Sequence, residues 1–382
     1  MGYKVVSLGD VIQLEDSKRQ PLSSRERDDR KGSYPYYGAQ GIVDYLDDYT
    51  YEGDYLLVAE DGENLRSRKQ PIANEAHGRF RVNNHAHVIT ATKHCNLTYL
   101  KHLLNCMDIA AYVTGSTQPK LSQASLLNIK VDLPEIDKQN AVATFLHCLD
   151  AKIAANAKLN GYLEELGQAL TCKYLDSCIS NCLLSDILEL GNGFAFKSGA
   201  YTENGRYKVL TIKNVQDGNV DCSSSSRLDE LPIKMKEHCK LKPGDVVLSL
   251  TGNVGRVGIV AETSCLLNQR VAVLLPRDEH CLAGLYFIFR QQSFRSEMIG
   301  IAKGTAQANL SPVETLRLSI PYDESAFQEL SAILRPVFDG ILANKIESLK
   351  LAEFRNLLLP KLMSGEIDVS KIDLIQLNSH LA

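Results

Sequence analysis

Four of the nine histidines stand directly before a cysteine: His94-Cys95, His147-Cys148, His238-Cys239 and His280-Cys281. Imidazole and thiolate are zinc ligands, but neighbours along a chain rarely chelate one ion, and a second pair at short spacing is missing. The ten cysteines are spaced irregularly, Cys178 and Cys182 being the closest pair, and no C-x-x-C occurs. They read as free core thiols in a reducing cytoplasm rather than as a disulfide framework. Glu75, His77, His85 and His87 form the one denser group of potential ligands. Its H-x-H would point both rings to one face of a strand, and no metal is expected there.

Other reactive patterns are absent. Thr251-Gly252-Asn253-Val254-Gly255-Arg256-Val257-Gly258 is rich in glycine, but it is neither the dinucleotide fingerprint nor followed by G-K-[ST]. It reads as a hairpin whose glycines serve tight turns. No N-P-P-[YF], which would hold a base amine for methyl transfer, is present; the nearest string is Ile320-Pro321-Tyr322. E-x-K, the core of many metal nucleases, and G-x-S-x-G are missing too. No catalytic residue, cofactor or metal is therefore assigned, and the chain reads as a binder.

The elements around these residues show what kind of binder. The 382 residues allow two or three compact units, and 44% hydrophobic with 23% charged residues is ordinary for a globular protein. No run of about 18 apolar residues suggests a membrane span, and Met1 to Asp10 lacks the pattern of a signal peptide. A net charge of −4 counts against a uniformly basic nucleic-acid binder. Charge is patterned, however. Gly32 to Leu65 holds eight acids and no Lys or Arg, and is flanked by Lys18-Arg19, Arg25-Glu26-Arg27 and Arg30-Lys31 on one side and Arg66 to Lys69 on the other. An acidic face turned from DNA and a basic face toward it would produce this arrangement.

The chain also repeats itself. Ser7-Leu8-Gly9-Asp10-Val11-Ile12-Gln13-Leu14 resembles Leu183-Leu184-Ser185-Asp186-Ile187-Leu188-Glu189-Leu190, 176 residues on. Gly115-Ser116-Thr117-Gln118-Pro119-Lys120-Leu121-Ser122 resembles Gly304-Thr305-Ala306-Gln307-Ala308-Asn309-Leu310-Ser311, 189 residues on. Both copies run through a short apolar strand to Pro134 or Pro321 and then into a long helical segment. Preserved order with a drifting offset is the mark of a duplication with a diverged middle.

Each helical segment carries a 3-4 apolar spacing over roughly 40 residues, about 60 Å of helix. The first seam reads Val142, Phe145, Leu149, Lys152, Asn156, Leu159, Leu163, Leu166, Leu170. The second reads Phe327, Leu330, Leu334, Val337, Ile341, Asn344, Ser348, Leu351, Arg355, Leu358, Leu362. Asn156 and Asn344 fall on the seams, where a buried amide fixes register. Pro336 is expected to kink the second helix and Pro360 to bend or end it. Between the helices, short Val/Ile/Leu/Tyr runs with turns such as Asp217-Gly218-Asn219 predict two α+β domains with small, mostly antiparallel sheets.

This organisation resembles the specificity subunit of type I restriction-modification enzymes, from Val6 to about Val369. The strings that carry the resemblance are Leu358 to Ile367 (LLPKLMSGEI), Arg335 to Asp339 (RPVFD), Lys242 to Gly252 (KPGDVVLSLTG), Tyr36 to Ile42 (YYGAQGI) and Asn84 to Val88 (NHAHV). It implies two similar α+β target recognition domains separated by a long antiparallel two-helix coiled coil, with an internal pseudo-twofold repeat. Recognition domains would span 1–114 and 181–303, spacer regions with the long helices 115–180 and 304–370, and a tail 371–382. The implied partners are double-stranded DNA with a bipartite asymmetric target, two modification subunits that methylate adenine, and restriction subunits that translocate DNA. This chain itself would bind neither S-adenosylmethionine nor ATP.

Phosphate contacts by Lys and Arg give affinity, and amides, hydroxyls and Arg at base edges give sequence. Loops rich in both nominate Arg25, Arg27, Arg66, Arg68, Lys69, Ser116, Thr117, Gln118 and Lys120 in the first half. In the second half they nominate Lys197, Lys213, Asn214, Arg256, Asn268, Gln269, Arg270, Thr305, Gln307 and Asn309. A coiled-coil adaptor that binds protein rather than DNA, and an enzyme with an unfamiliar site, are the alternative readings.

Overall fold

The structure, a computed structural model, describes residues 3–304 and 308–369. Thr305, Gln307 and the tail from 371 lie outside the described residues. The chain forms two compact units, one of residues 1–152 with 352–382 and one of residues 153–351. Two long helices, Ile136–Ser177 and Glu324–Met363, contribute to both.

In the first unit a six-stranded sheet runs in the order Ile12–Leu14, Ala86–Ala91, Tyr51–Ala59, Ala73–Val82, Lys31–Gly38, Gly41–Leu46. Alternation puts Leu57, Ala76, Phe80, Val82 and Val88 on one face, where they bury with Tyr51. The rings of Tyr51 and Phe80 stack at 5.4 Å. A separate ribbon pairs Lys4–Ser7 with Lys130–Leu133. Asp150 and Arg355 form an ion pair, and Lys138 lies 3.8 Å from Asp368. Numbers fall along one long helix as they rise along the other, so within this unit the helices run antiparallel.

In the second unit Leu188–Asn192, Val271–Pro276, Val246–Ser249, Val257–Ile259 and Gly218–Asn219 make one sheet. A four-stranded sheet of Ser226–Leu228, Tyr207–Leu210, Cys265–Leu267 and Lys240–Leu241 is specific to this half. The glycine-rich stretch is the expected hairpin: Val246–Ser249 pairs antiparallel with Val257–Ile259, and Gly252 (φ +73°) and Gly255 (φ +77°) supply turn conformations closed to most residues.

The duplication is present bond by bond. Leu8 N–H donates to the Ile129 carbonyl at 2.9 Å, and Leu184 N–H to the Leu318 carbonyl at 2.9 Å. Ala59 opposes Ala86 in one sheet and Ser249 opposes Val271 in the other. Helix Leu97–Cys106 corresponds to Leu282–Phe289 at a constant offset of 185 residues. His102 of the first helix therefore answers to Phe287 of the second. It is buried, its Nε2 has no hydrogen-bond partner among the described residues, and burial with Lys101 nearby pushes its ring down to about 4. Between that value and the ordinary 6.5 the unfolded chain holds a proton the folded chain does not, so stability falls as pH drops through this window. Urea titrations from pH 7 to pH 4 are expected to show a loss of up to about 3 kcal/mol from this group. His102→Phe should flatten the slope.

The seams hold in part. Every expected residue of the second helix from Phe327 to Leu362 is buried or half-buried. On the first helix Val142, Phe145 and Leu149 are buried, but Leu159 and Leu166 are 47% and 49% exposed. Beyond Asn156 the contact face passes instead through Asn160, Leu163, Gly167, Leu170 and Tyr174. The cause is close approach. A Cβ on Gly167 would lie 2.2 Å from Phe287 Cε1, so the glycine rather than its leucine neighbour faces the domain. The helix Glu324–Met363 is continuous through Pro336 and Pro360, so Pro360 does not end it. Pro336 and Ala332, whose carbonyl the proline leaves without its helical donor, are both exposed, so solvent can meet that carbonyl.

Candidate nucleic-acid interface

Each half builds a hairpin on the rim of its sheet. In the first, Thr114 and Lys120 exchange backbone hydrogen bonds at 2.8 Å each. In the second, Lys303 and Asn309 do so at 3.0 and 2.8 Å. Gly115 (φ +85°) opens the first hairpin, and a Cβ there would stand 2.2 Å from the Gln118 carbonyl. The hairpins are anchored alike: Leu121 N–H to Glu60 O and Leu310 N–H to Leu250 O, both at 2.7 Å. Gly62 N–H donates to Pro119 O and Gly252 N–H to Ala308 O at 3.0 and 3.2 Å. Ser122 and Ser311 then cap the following helices.

The side chains beneath the two hairpins differ completely. In the first half Arg19 donates to Glu60 at 2.5 Å and lies 3.2 Å from Asp16. Lys120 reaches Glu60 at 3.1 Å. Buried His87 directs Nδ1 at Asp16 (2.7 Å) and Nε2 at the Leu121 carbonyl (2.8 Å). A carbonyl only accepts, so Nε2 donates. Burial pushes the Asp16 carboxyl up, but hydrogen bonds from His87, the Val88 N–H and Gln123 outweigh it and hold it below the usual range. Burial likewise opposes, and Arg19 and Lys120 outweigh it, at Glu60. Asp16, Glu60 and His87 stand close enough to bracket an ion, but Arg19 and Lys120 already neutralise the carboxylates. The arrangement locks the hairpin to the sheet.

Strand register makes Asn192, Leu250, Thr251, Arg270 and Asn309 the second-half counterparts of Asp16, Glu60, Asp61, His85 and Lys120. There the same place is an open polar cleft of about 620 Å³, lined by Asn192, Thr251, Gln269, Arg270 and Asn309 among others. Asn309 Oδ1 accepts from the Thr251 hydroxyl at 2.8 Å. A second cleft of about 390 Å³, with Lys213, Ser224, Ser226 and Asn268, is also lined by Arg270.

The nominated residues thus divide. Arg25, Lys69, Ser116, Thr117 and Gln118 are exposed in the first half, and Lys197, Lys213, Gln269 and Arg270 in the second. Others are engaged within the protein. Arg66 braces the hairpin through the Gly115 and Ser116 carbonyls at 2.5 and 3.0 Å. Arg68, itself left-handed (φ +51°), caps helix Leu97–Cys106 through the carbonyls of Leu104, Asn105 and Met107. Arg27 lies beside Asp44 and over the Tyr36 ring, and buried Asn214 closes a turn onto Thr211 and the Asp221 carbonyl. Arg256 and Asn268 are half-buried.

The Glu75-His77-His85-His87 group does not converge. Glu75 binds Thr98 and Lys101, His77 binds Asp54, His85 binds Asp61 and His87 binds Asp16, because strand pairing gives each a separate partner. All ten cysteines are free, six of them buried. Sequence reasoning missed the Asp16-Arg19-Glu60-His87 cluster, whose members come from distant segments with no shared spacing.

The side-chain amides of the two seam asparagines do not bond each other, although Asn156 Nδ2 lies 3.5 Å from the Asn344 backbone carbonyl. Asn156 Nδ2 donates to Glu347 at 2.7 Å and Ser348 at 3.3 Å, while Asn344 Nδ2 donates to Asn160 at 2.8 Å. Residues one turn apart, Asn156 and Asn160, thus both face Asn344, and the side-chain amide pair is Asn344 with Asn160.

Among the described residues no helix is long and apolar enough to cross a membrane. The model of the type I restriction modification DNA specificity domain matches residues 1–165 and again 181–351. A Haemophilus influenzae protein named as a type I restriction enzyme specificity subunit, S.HindORF215P, is 26% identical over 330 residues, 82% of each chain. The MjaIX specificity subunit of Methanocaldococcus jannaschii is 24% identical over 308 residues, 72% of this chain and 70% of that one. The crystal structure of a type I restriction-modification S subunit from M. genitalium shares the fold, with a TM-score of 0.62 at 15% identity over 95% of this chain and 96% of that one. Two matches of one specificity model, on two halves that share their hydrogen bonds, place the chain in the type I restriction-modification DNA specificity family: it is a specificity subunit, a recognition component rather than a catalytic one.

Proposed function

We propose that the chain reads a bipartite, asymmetric DNA target in the cytoplasm, residues 1–114 reading one half and 181–303 the other, with spacer regions 115–180 and 304–370. The observation that carries this is the duplicated hairpin on sheet with different side chains at matching positions. One backbone frame used twice suits two half-sites, and dissimilar side chains suit two sequences. Arg25, Lys69 and the 116–118 hairpin tip serve the first half-site. Lys197, Lys213, Gln269, Arg270 and Asn309 serve the second, together with Thr305 and Gln307, which lie outside the described residues. Arg27, Arg66, Arg68 and Asn214 support these surfaces from inside.

Modification subunits dock on the long helices, and restriction subunits join them. Leu159, Tyr162 and Leu166 form an exposed apolar stripe at spacings of three and four residues on the first helix. Such a stripe on a soluble protein marks an interaction surface. The test is to map methylated adenines with the chain assembled with its methyltransferase partners, before and after residues 183–303 are exchanged for those of a relative. One half of the target changes and the other stays. A change in both halves, or methylation by the isolated chain, overturns the reading.

The seam amides set the distance between half-sites. A slip of one heptad shifts a helix by about 10 Å, near three base pairs, and would leave Asn156 and Asn344 facing apolar groups at a cost of about 1–3 kcal/mol each. With both replaced by leucine the protein stays folded, and its roughly tenfold or greater preference for one spacer length over those one to three base pairs away is lost. Binding to a spacer series reads the effect.

A further inference from the structure

We propose that Arg270 is the guanine-reading residue of the second half-site, an inference that rests on the DNA-reading function above and adds the base and the side chain. Arg270 borders both polar clefts of this half. Its backbone is held firmly. The Arg270 carbonyl accepts from Leu250 N–H at 3.0 Å, and the flanking Gln269 and Val271 N–H groups bond to Phe194 and Asn268 carbonyls at 3.0 and 2.9 Å. Its guanidinium, by contrast, is exposed and has no hydrogen-bond or ionic partner among the described residues.

Other arginines of this protein lack that combination. Arg19, Arg66, Arg68, Arg290 and Arg355 all spend their guanidinium groups internally. A fixed Cα with a free planar fork is suited to bidentate donation to guanine O6 and N7. The two clefts it lines offer what a neighbouring base edge needs: the Gln269 amide, the Asn309 Nδ2 donor left over after Oδ1 has bonded Thr251, and hydroxyls of Ser224 and Ser226. Lys213, exposed at the rim of the second cleft, suits a backbone phosphate. The first half has no equivalent. His85 stands at the matching position and is paired to Asp61 at 2.8 Å, over a cavity filled by Arg19 and Lys120. The first half thus has no arginine at the position that matches Arg270.

The experiment is adenine methylation of a randomised duplex library by the full chain assembled with its modification subunits, comparing the parent with Arg270→Ala and Arg270→Lys. The parent is expected to select a split motif with a guanine in the half that exchange of 183–303 alters. Arg270→Ala should lose that preference, about ten- to hundred-fold, with every other position unchanged. Arg270→Lys should keep overall affinity and only part of the preference, because an ammonium cannot form the two-pronged contact. A parent motif that survives Arg270→Ala intact overturns the assignment alone. So does a uniform loss of affinity across all sequences, which marks a phosphate contact. A parent that selects no split motif overturns the functional reading and this assignment together.

Discussion

Replacing Leu159, Tyr162 and Leu166 together with glutamine is expected to leave the chain folded and to cut assembly with the modification subunits, and the methylation that depends on it, by about a hundredfold. The three side chains are 47%, 56% and 49% exposed, so they contribute little to the chain's own core. Covering the exposed half of each would contribute about 1 kcal/mol, since full burial of such a side chain is worth about 1.5–3 kcal/mol. The sum, about 3 kcal/mol, corresponds to about a hundredfold in the assembly constant. Thermal unfolding of the isolated chain should stay within a few degrees of the parent. Co-purification of the modification subunit and adenine methylation should both fall by about two orders of magnitude. Undiminished assembly would mean that the partner docks on another face. The seam asparagines, which point inward, serve as the contrasting site: their replacement should change spacing preference and leave assembly intact.

Glu164→Leu should produce the largest loss of stability of any single change considered for the second unit. Glu164 lies on the long helix Ile136–Ser177 and accepts hydrogen bonds from the Tyr286 hydroxyl and from Arg290 Nε, the latter at 3.3 Å. Arg290 in turn pairs with Asp217. Tyr286 is fully buried, and Glu164 and Arg290 are mostly covered. Burial raises the Tyr286 phenol well above its usual value, so it remains a donor throughout the working pH range. Removing the carboxylate strands the buried Tyr286 hydroxyl and leaves the largely buried Arg290 only the half-exposed Asp217, which together cost about 2–4 kcal/mol. Glu164→Gln keeps one acceptor for Tyr286 and should lose less than half as much. Urea unfolding of the two variants gives the comparison. An effect below about 1 kcal/mol for Glu164→Leu would show that water replaces the carboxylate and that the ion pair does not hold the domain to the helix.

Much of the architecture was legible before any coordinate. The two offsets between Ser7 and Leu183 and between Gly115 and Gly304 reappear as matching backbone bonds, because a duplicated segment keeps its hydrogen-bond frame while its surface diverges. The long seams were legible because a heptad of apolar residues has few other uses. Local spacing also found the glycine hairpin after Thr251, since positive φ is a property of the residue and its immediate neighbours. The absence of the phosphate-loop and base-amine motifs was a statement about strings, and needed no structure.

What the tertiary structure alone decided are the contacts between residues remote in the chain. Leu159 and Leu166 satisfy a hydrophobic pattern, yet Gly167 takes the buried place because Phe287, 120 positions away, lies against the helix backbone. Arg68 and Arg270 are alike as letters in a basic loop. One caps a helix and the other stands free, lining two clefts, according to which carbonyls the fold brings near. Asp16, Arg19, Glu60, His87 and Lys120 meet only because three strands and a hairpin pair in one register. Sequence periodicity reports the face a residue occupies on its own element. Charge pairing and cleft shape depend on which other element covers that face, so the difference between a filled site in the first half and an open one in the second emerges only when the chain is folded.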